Sequence, residues 1–312
     1  MRYMGDVLVG NQATWEFDTD SVLIRFERGI RTPRLFQSLR ERRIPYAALS
    51  SVTLTPGKRD TVVLRAVPRP GADPLLEAAA GQLKESCDPY RLVLPAERGT
   101  LAEYYAEELR AVLEPDASLP ADRFLVTAPD APMQFKAYDG RAAFDGTRVS
   151  FRWFWTGASS AKWKAGDQTF PVAELGGVEW RSPEAFEGYL RLVPRSAASE
   201  PGPDGLGAPG ADTASAGPAA RPAQADQDPA AVVFGLGYGP VHESLPFAAA
   251  VLEAVRRTQP APVLAAPVAV GAQRSHPAEI AERIRHLGEL HEAGLVTDDE
   301  YSAKKAQLLA EL

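Results

Sequence analysis

The chain opens with apolar and polar positions alternating at a period of two. Thr14-Trp15-Glu16-Phe17 and Val22-Leu23-Ile24-Arg25-Phe26 both alternate, with Asp18-Thr19-Asp20-Ser21 between them, which predicts a hairpin. The same pattern predicts further strands at Ser51–Leu54, Thr61–Val67 and Tyr90–Leu94. The period then becomes helical. Leu101, Tyr104, Tyr105, Leu109, Val112 and Leu113 form one stripe ahead of Pro115. Thr100-Leu101-Ala102-Glu103 has the spacing of a capping box, in which hydroxyl and carboxylate each satisfy an orphan amide.

This succession occurs twice. Phe17-Asp18 followed by Val22-Leu23-Ile24 returns as Phe144-Asp145 followed by Val149-Ser150-Phe151. Pro45-Tyr46-Ala47-Ala48-Leu49 returns as Pro171-Val172-Ala173-Glu174-Leu175, and Leu64-Arg65-Ala66-Val67-Pro68 as Leu190-Arg191-Leu192-Val193-Pro194. The second copy is expected to have strands at Ala142–Phe144 and Val149–Trp155, with Phe151, Trp153 and Trp155 pointing into its core. Its closing helix is expected from about Pro246 to Arg257, with Pro246 in the first turn, where a missing amide costs nothing. Phe247, Val251, Leu252 and Val255 make its stripe. Residues 6–114 and 126–258 therefore read as two domains.

Ser196–Pro229 holds six prolines, no aromatic residue and only Leu206 as a large hydrophobe. Such a segment is predicted to be a disordered insertion inside the second domain, because Ala231–Phe234 takes the place of Tyr90–Leu94. An Ala/Pro linker, residues 259–276, precedes the tail. In residues 277–312, Ile280, Ile284, Leu287 and Leu290 form one stripe, Gly294 ends the helix, and Thr297-Asp298-Asp299-Glu300 caps a second helix carrying Tyr301, Leu308 and Leu309. A hairpin this short rarely folds alone, so those seven side chains are expected to seat on a partner or on a second copy.

Composition narrows the function. A net charge of −7 argues against nucleic acid as a partner. The single cysteine, Cys87, fits a reducing compartment. With no signal-peptide pattern and no long apolar run, the chain is expected in the cytoplasm. No spacing supports catalysis, a metal or a cofactor. Gly235–Gly239 lacks the Lys-Ser/Thr of a phosphate loop and reads as a strand end, His286 and His291 lack zincin spacing, and Cys87 has no nearby base. Two surface features remain. One is the run from Arg25 to Arg43, with Arg28, Arg31, Arg34, Arg40, Arg42 and Arg43 as candidate anion or partner contacts and Leu35 and Phe36 as apolar insertion. Its simpler reading is a solvated hairpin, or a short helix from Pro33 to Arg42 whose Leu35 and Leu39 cap the sheet. The other is Trp163, beside Lys162 and Lys164, as an interface residue.

The tail resembles the bacterial short C-terminal domain, through Ile280, Ile284, Leu287, Leu290, Gly294-Leu295-Val296-Thr297, Glu300-Tyr301, Lys305 and Leu308-Leu309. That resemblance implies an oligomerisation or docking hairpin. The two halves resemble an actinobacterial domain-of-unknown-function family, through the Phe-Asp hairpins and the blocks at Pro45–Val52 and Pro171–Val178. The family's units look like pleckstrin-homology (PH) folds. The implied fold is mostly β with α: two tandem PH-like bent antiparallel sheets or barrels, each closed by a C-terminal helix, then an α-helical hairpin. From the duplicated unit and the small tail, the expected function is a non-enzymatic adaptor without cofactor, with peripheral attachment to an anionic membrane surface through the arginine loop as the alternative.

Overall fold

In the computed structural model, residues 6–185, 187–195, 224–235 and 237–259 are described. Strands β1 (Asp6–Val9), β2 (Ala13–Phe17), β3 (Ser21–Phe26) and β4 (Glu41–Pro45) form one antiparallel sheet in sequence order. The expected hairpin is β2–β3, with Phe17 opposite Val22 and Trp15 opposite Ile24. The chain between β3 and β4 carries helix α1 (Arg34–Leu39), which buries Leu35, Phe36 and Leu39. Phe36 stacks on Phe26 at 4.5 Å between ring centres. A helix therefore does stand in the arginine run, over Arg34–Leu39 and shorter than Pro33 to Arg42, and Leu35 and Phe36 are core residues and not apolar insertion.

Pro45 ends the sheet. The chain turns through a 3-10 segment, Tyr46–Ala48, and starts a second sheet of β5 (Leu49–Pro56), β6 (Thr61–Pro68) and β7 (Arg91–Pro95). Between β6 and β7 stands α2 (Pro74–Ala79), capped by the Asp73 side chain, which accepts from the Leu75 amide. Helix α3 (Gly99–Ala111) closes the half on β5, β6 and β7.

The second half repeats this plan. β8 (Met133–Lys136), β9 (Gly140–Phe144), β10 (Arg148–Trp153) and β11 (Gln168–Pro171) form a four-stranded sheet, with α4 (Ser160–Ala165) between β10 and β11. Pro171 and a 3-10 turn, Val172–Glu174, lead into β12 (Leu175–Arg181), β13 (Tyr189–Pro194) and β14 (Ala231–Val233). Strand β14 pairs with β13 as β7 pairs with β6, so the segment before Ala231 is an insertion within this half.

The sheets do not close. They stay as four separate antiparallel sheets, contrary to the barrel expectation. The break falls at the same place in both halves, where a proline without an amide precedes a 3-10 turn. A bulge at Leu49/Ser51 or Leu175/Gly177 then bends the following strand.

Three local expectations also change. Helix α3 has no side-chain cap; its N-cap is Arg98, the end of a preceding 3-10 turn, so Thr100 and Glu103 form no capping box. Its buried face is Ala102, Tyr105, Ala106 and Leu109, while Leu101, Tyr104 and Val112 are exposed. Two alanines permit close approach to the sheet and set the face that the larger side chains had suggested elsewhere. Trp155 lies beyond the end of β10 and is 78% exposed, whereas Phe151 and Trp153 are buried as expected.

The final helix, α5 (Val241–Thr258), begins five residues before Pro246, which sits inside it. Every residue from Ser244 to Val251 is buried. A helix covered all round lies within a core, and α5 packs against α1 and α2 of the first half as well as β8 and β12 of the second. Phe247 meets Phe135 and Phe144 edge-on. The halves thus share one compact unit that ends at Gln259. No helix among the described residues is long and apolar enough to cross a membrane. Residues 196–223 of the insertion and the whole tail, including Ile280, Ile284, Leu287, Leu290, Tyr301, Leu308 and Leu309, lie outside the described residues.

Candidate functional site

The junction of the two halves is hydrogen-bonded as well as packed. Gln82, after α2, donates to the Trp180 carbonyl at 3.1 Å and accepts from the Ser182 amide at 2.9 Å. Lys84 pairs with Glu184 at 2.9 Å, and Arg256 of α5 pairs with Glu77 of α2 at 2.9 Å. The segment joining the halves is tied to α5, because the buried Glu253 carboxylate accepts from the Ala128 amide at 2.7 Å.

Beside these contacts lies a cleft of about 830 Å³, with walls from both halves. The first half contributes the start of α1 and the chain after α2, including Leu35, Leu83 and Cys87; the second contributes Trp180, Phe234 and the start of α5. Trp180 is fixed by donating its indole N–H to Ser244 Oγ at 3.1 Å. The glycine-rich stretch forms one rim. Gly235 bridges Tyr238, and Gly237 has φ +81°, a left-handed conformation that glycine adopts without strain. At Gly239 a Cβ would lie 2.2 Å from the Phe234 ring. The strand-end reading is correct for the backbone, but it missed that this turn borders a cleft.

A second hollow of about 430 Å³ shares Arg34, Gly237, Tyr238, Pro240 and His242 with the first, so the two adjoin. It adds Lys136 and Arg141, with Glu243 as its acid. Burial depresses the His242 pKa, opposed by Glu243 and reinforced by Arg34, so this imidazole is neutral near pH 7. Burial pushes the Cys87 thiol up, which keeps it protonated and unreactive.

The sequence candidates scatter. Arg28, Arg31, Arg34 and Arg40 are exposed and make no ion pair among the described residues, and Ile30 stands fully exposed between the first two. Arg43 is held at the sheet surface by Asp18 at 3.2 Å and the Ser21 hydroxyl at 2.7 Å. Arg42 is not a surface contact at all. It is 5% exposed, donates to Asp73 at 2.7 Å and to Tyr90 Oη at 3.2 Å, and Tyr90 donates to the other Asp73 oxygen at 2.6 Å. Burial alone would lower the Arg42 pKa; Asp73 and Tyr90 more than reverse that, so the pair is ionic. Its inward direction follows from strand parity, because Arg42 is in phase with the buried Ile44.

The second half has a buried pair of its own. Lys162 donates to Asp139 and lies 5.0 Å from the Trp153 ring centre, and Asp139 also accepts from the Val233 amide at 3.0 Å. Burial pulls the Lys162 pKa down and pushes that of Asp139 up, each opposed by the other. Its neighbour Trp163 is half exposed and meets Trp155 edge-on at 5.1 Å, an aromatic pair at the surface of α4. Among the described residues no group of three or more His, Cys, Asp or Glu could hold a metal ion.

Comparison with known families fits this geometry. The model of the domain of unknown function DUF4429 matches residues 15–110 and 142–252. The chain belongs to the DUF4429 family. The two DUF4429 matches begin at Trp15 and Ala142, which hold the same register, opposite Ile24 and Phe151 in their β2–β3 and β9–β10 hairpins. The short C-terminal domain (SHOCT) model matches residues 282–309, the tail of this DUF4429 chain. No curated protein matches it.

Proposed function

We propose that this DUF4429 protein is a non-enzymatic binding protein, in which two PH-like halves act as one platform and the SHOCT tail couples that platform to a protein partner or to further copies. The observation that carries the reading is α5, whose middle, Ser244 to Val251, is buried on all sides between the halves, with a cleft beside it walled by both. A site built across two repeats requires both to be present and fixed, which suits recognition. The PH-like part of the reading rests on the order of elements: in each half a four-stranded sheet, a three-stranded sheet, then a helix.

The tail enters through its size and stripe, since a short amphipathic hairpin gains most of its stability by docking. Light scattering coupled to size-exclusion chromatography, on the full chain and on a chain ending at Gln259, tests this. A larger assembly for the full chain supports coupling through the tail; the same number of copies for both, together with no partner retained only by the full chain, contradicts it.

The arginine loop favours a second reading. Arg28, Ile30 and Arg31 form an exposed basic and apolar tip, and a basic residue near an anionic leaflet contributes about 1 kcal/mol. Flotation with phosphatidylglycerol vesicles checks it: binding should fall with salt and disappear in Arg28→Ser/Arg31→Ser, and no flotation rejects it.

A further inference from the structure

We propose that the junction cleft binds a phosphate monoester carried on an apolar body, with the phosphate at Arg34, Lys136 and Arg141 and the body against Leu35, Leu83, Trp180 and Phe234. The inference rests on the binding reading above and gives it a ligand class; assembly through the tail is independent of it.

The three cations come from different elements. Arg34 starts α1 in the first half, and Lys136 and Arg141 lie on β8 and β9 in the second, yet all three line one hollow. None has a carboxylate within ion-pair distance among the described residues. Lys136 faces Arg141 directly across the β8–β9 ladder, and Arg141 faces Arg152 across β9–β10. Like charges directly opposite one another destabilise a sheet, so this row carries a repulsion that a bound anion would relieve. Of that row only Arg152 is ion-paired among the described residues, with Asp167 at 3.7 Å.

The balance of charge fixes the class. Three cations face one lining acid, Glu243, because His242 is neutral. The surplus matches a dianionic phosphate, and the guanidinium forks of Arg34 and Arg141 suit its oxygens. In a chain with net charge −7, general basicity does not explain such a surplus. The adjoining larger cleft supplies the apolar wall, and its volume is within the range of small-molecule sites. Its own acids, Glu184 and Glu187, do not line the cationic hollow, and Glu184 is already paired with Lys84.

The ligand could be a soluble phosphorylated compound or the headgroup end of a phospholipid, and one experiment separates them. Full-length protein is titrated calorimetrically with 1-naphthyl phosphate, with inorganic phosphate and 1-naphthol as half-ligands, and is sedimented with phosphatidylcholine vesicles with and without phosphatidic acid. The expected result is saturable binding of naphthyl phosphate or of phosphatidic-acid vesicles, weakened about tenfold or more in Lys136→Ser/Arg141→Ser. Naphthyl phosphate binding assigns a soluble source and vesicle binding alone a lipid one. Both side chains are exposed and their removal relieves the repulsion along the row, so melting should not fall; if it falls, Arg34→Ser in the other half provides the same reading. Binding of neither probe, or binding that these variants leave intact, overturns the proposal.

Discussion

Helices α3 and α5 end equivalent halves, but their surroundings differ. Helix α3 buries one face, Ala102, Tyr105, Ala106 and Leu109, and leaves Tyr104 exposed. Helix α5 is covered all round from Ser244 to Val251. Both keep the inherited contact with their own sheet. Tyr105 stacks on Phe17 at 4.3 Å, and Phe247 meets Phe144, the counterpart of Phe17, at 6.2 Å. What α5 adds is a second seat on α1 and α2. The two halves therefore share a plan of sheets and closing helix, with the second closing helix also serving as the joint, and the cleft lies beside that joint.

The sharpest way to break the comparison is to truncate the aromatic anchor of α5. Phe247→Ala should destabilise the protein by about 3–5 kcal/mol, as for other buried phenylalanines, whereas Tyr104→Ala on α3 should stay within about 0.5 kcal/mol. Urea unfolding followed by fluorescence measures both. If the two substitutions cost the same, α5 has no special place. Next in size is the buried charge of the first half. Tyr90→Phe removes a hydrogen bond to the Asp73 carboxylate and should cost about 1.5–3 kcal/mol, read from the denaturation midpoint.

Gln82→Ala sharpens the picture of the joint, since it deletes two hydrogen bonds between the halves. A loss of about 1–2 kcal/mol is expected in thermal or urea melts. The smallest effect concerns the twin hairpin turns. Amides of Thr19 and Thr147 hold the Asp18 and Asp145 carboxyls below the usual aspartate pKa, helped by Arg43 at the first and by the Arg148 amide at the second. A carboxyl whose folded pKa is depressed contributes stability above its unfolded pKa and loses it as pH falls through the folded value. Asp145→Asn should therefore flatten the fall in melting temperature below about pH 4; an unchanged pH profile would assign that fall to other carboxyls.

Much of the fold was legible in the sequence, and the site largely was not. Alternation placed the β2–β3 and β9–β10 hairpins, and the repeat assigned Ala231–Phe234 the place of the first half's last strand, where β14 stands one residue shorter. Alternation failed at Trp155, where it continued past the end of β10 and counted an exposed tryptophan as core. Ranking by size was half right at α3: Tyr105 and Leu109 are buried, but Ala102 and Ala106 complete the face, and Leu101, Tyr104 and Val112 are exposed. The sheets remained open because the break depends on Pro45 and Pro171 acting as strand terminators, and a pattern of apolar residues does not register a missing amide.

The cleft was hidden for a geometric reason. Its walls come from Pro33 to Leu35, from the chain after α2, from the end of β12 and the turn after it, and from the start of α5 with the turn before it, stretches far apart in sequence that the packing of the two halves brings together. The cationic row was hidden too, because Lys136, Arg141 and Arg152 are isolated in sequence and align only through antiparallel register. The first half shows the contrast. Val9, Thr14 and Arg25 occupy the matching row, and Arg25 is bracketed by Glu16 at 3.3 Å and Glu41 at 3.8 Å. The arginine run is where charge is dense in sequence; its Arg34 meets Lys136 and Arg141 of the second half only in the folded chain.

Hydrogen exchange read by mass spectrometry, on the parent chain and on Phe247→Ala, tests the joint most directly. Phe247 packs on second-half side chains, Phe135 and Phe144, so any effect on the first half must pass through α5. The account predicts faster exchange in β2 and β3 as well as in β9 and β10. Faster exchange confined to β9 and β10, with β2 and β3 as protected as in the parent, would contradict it.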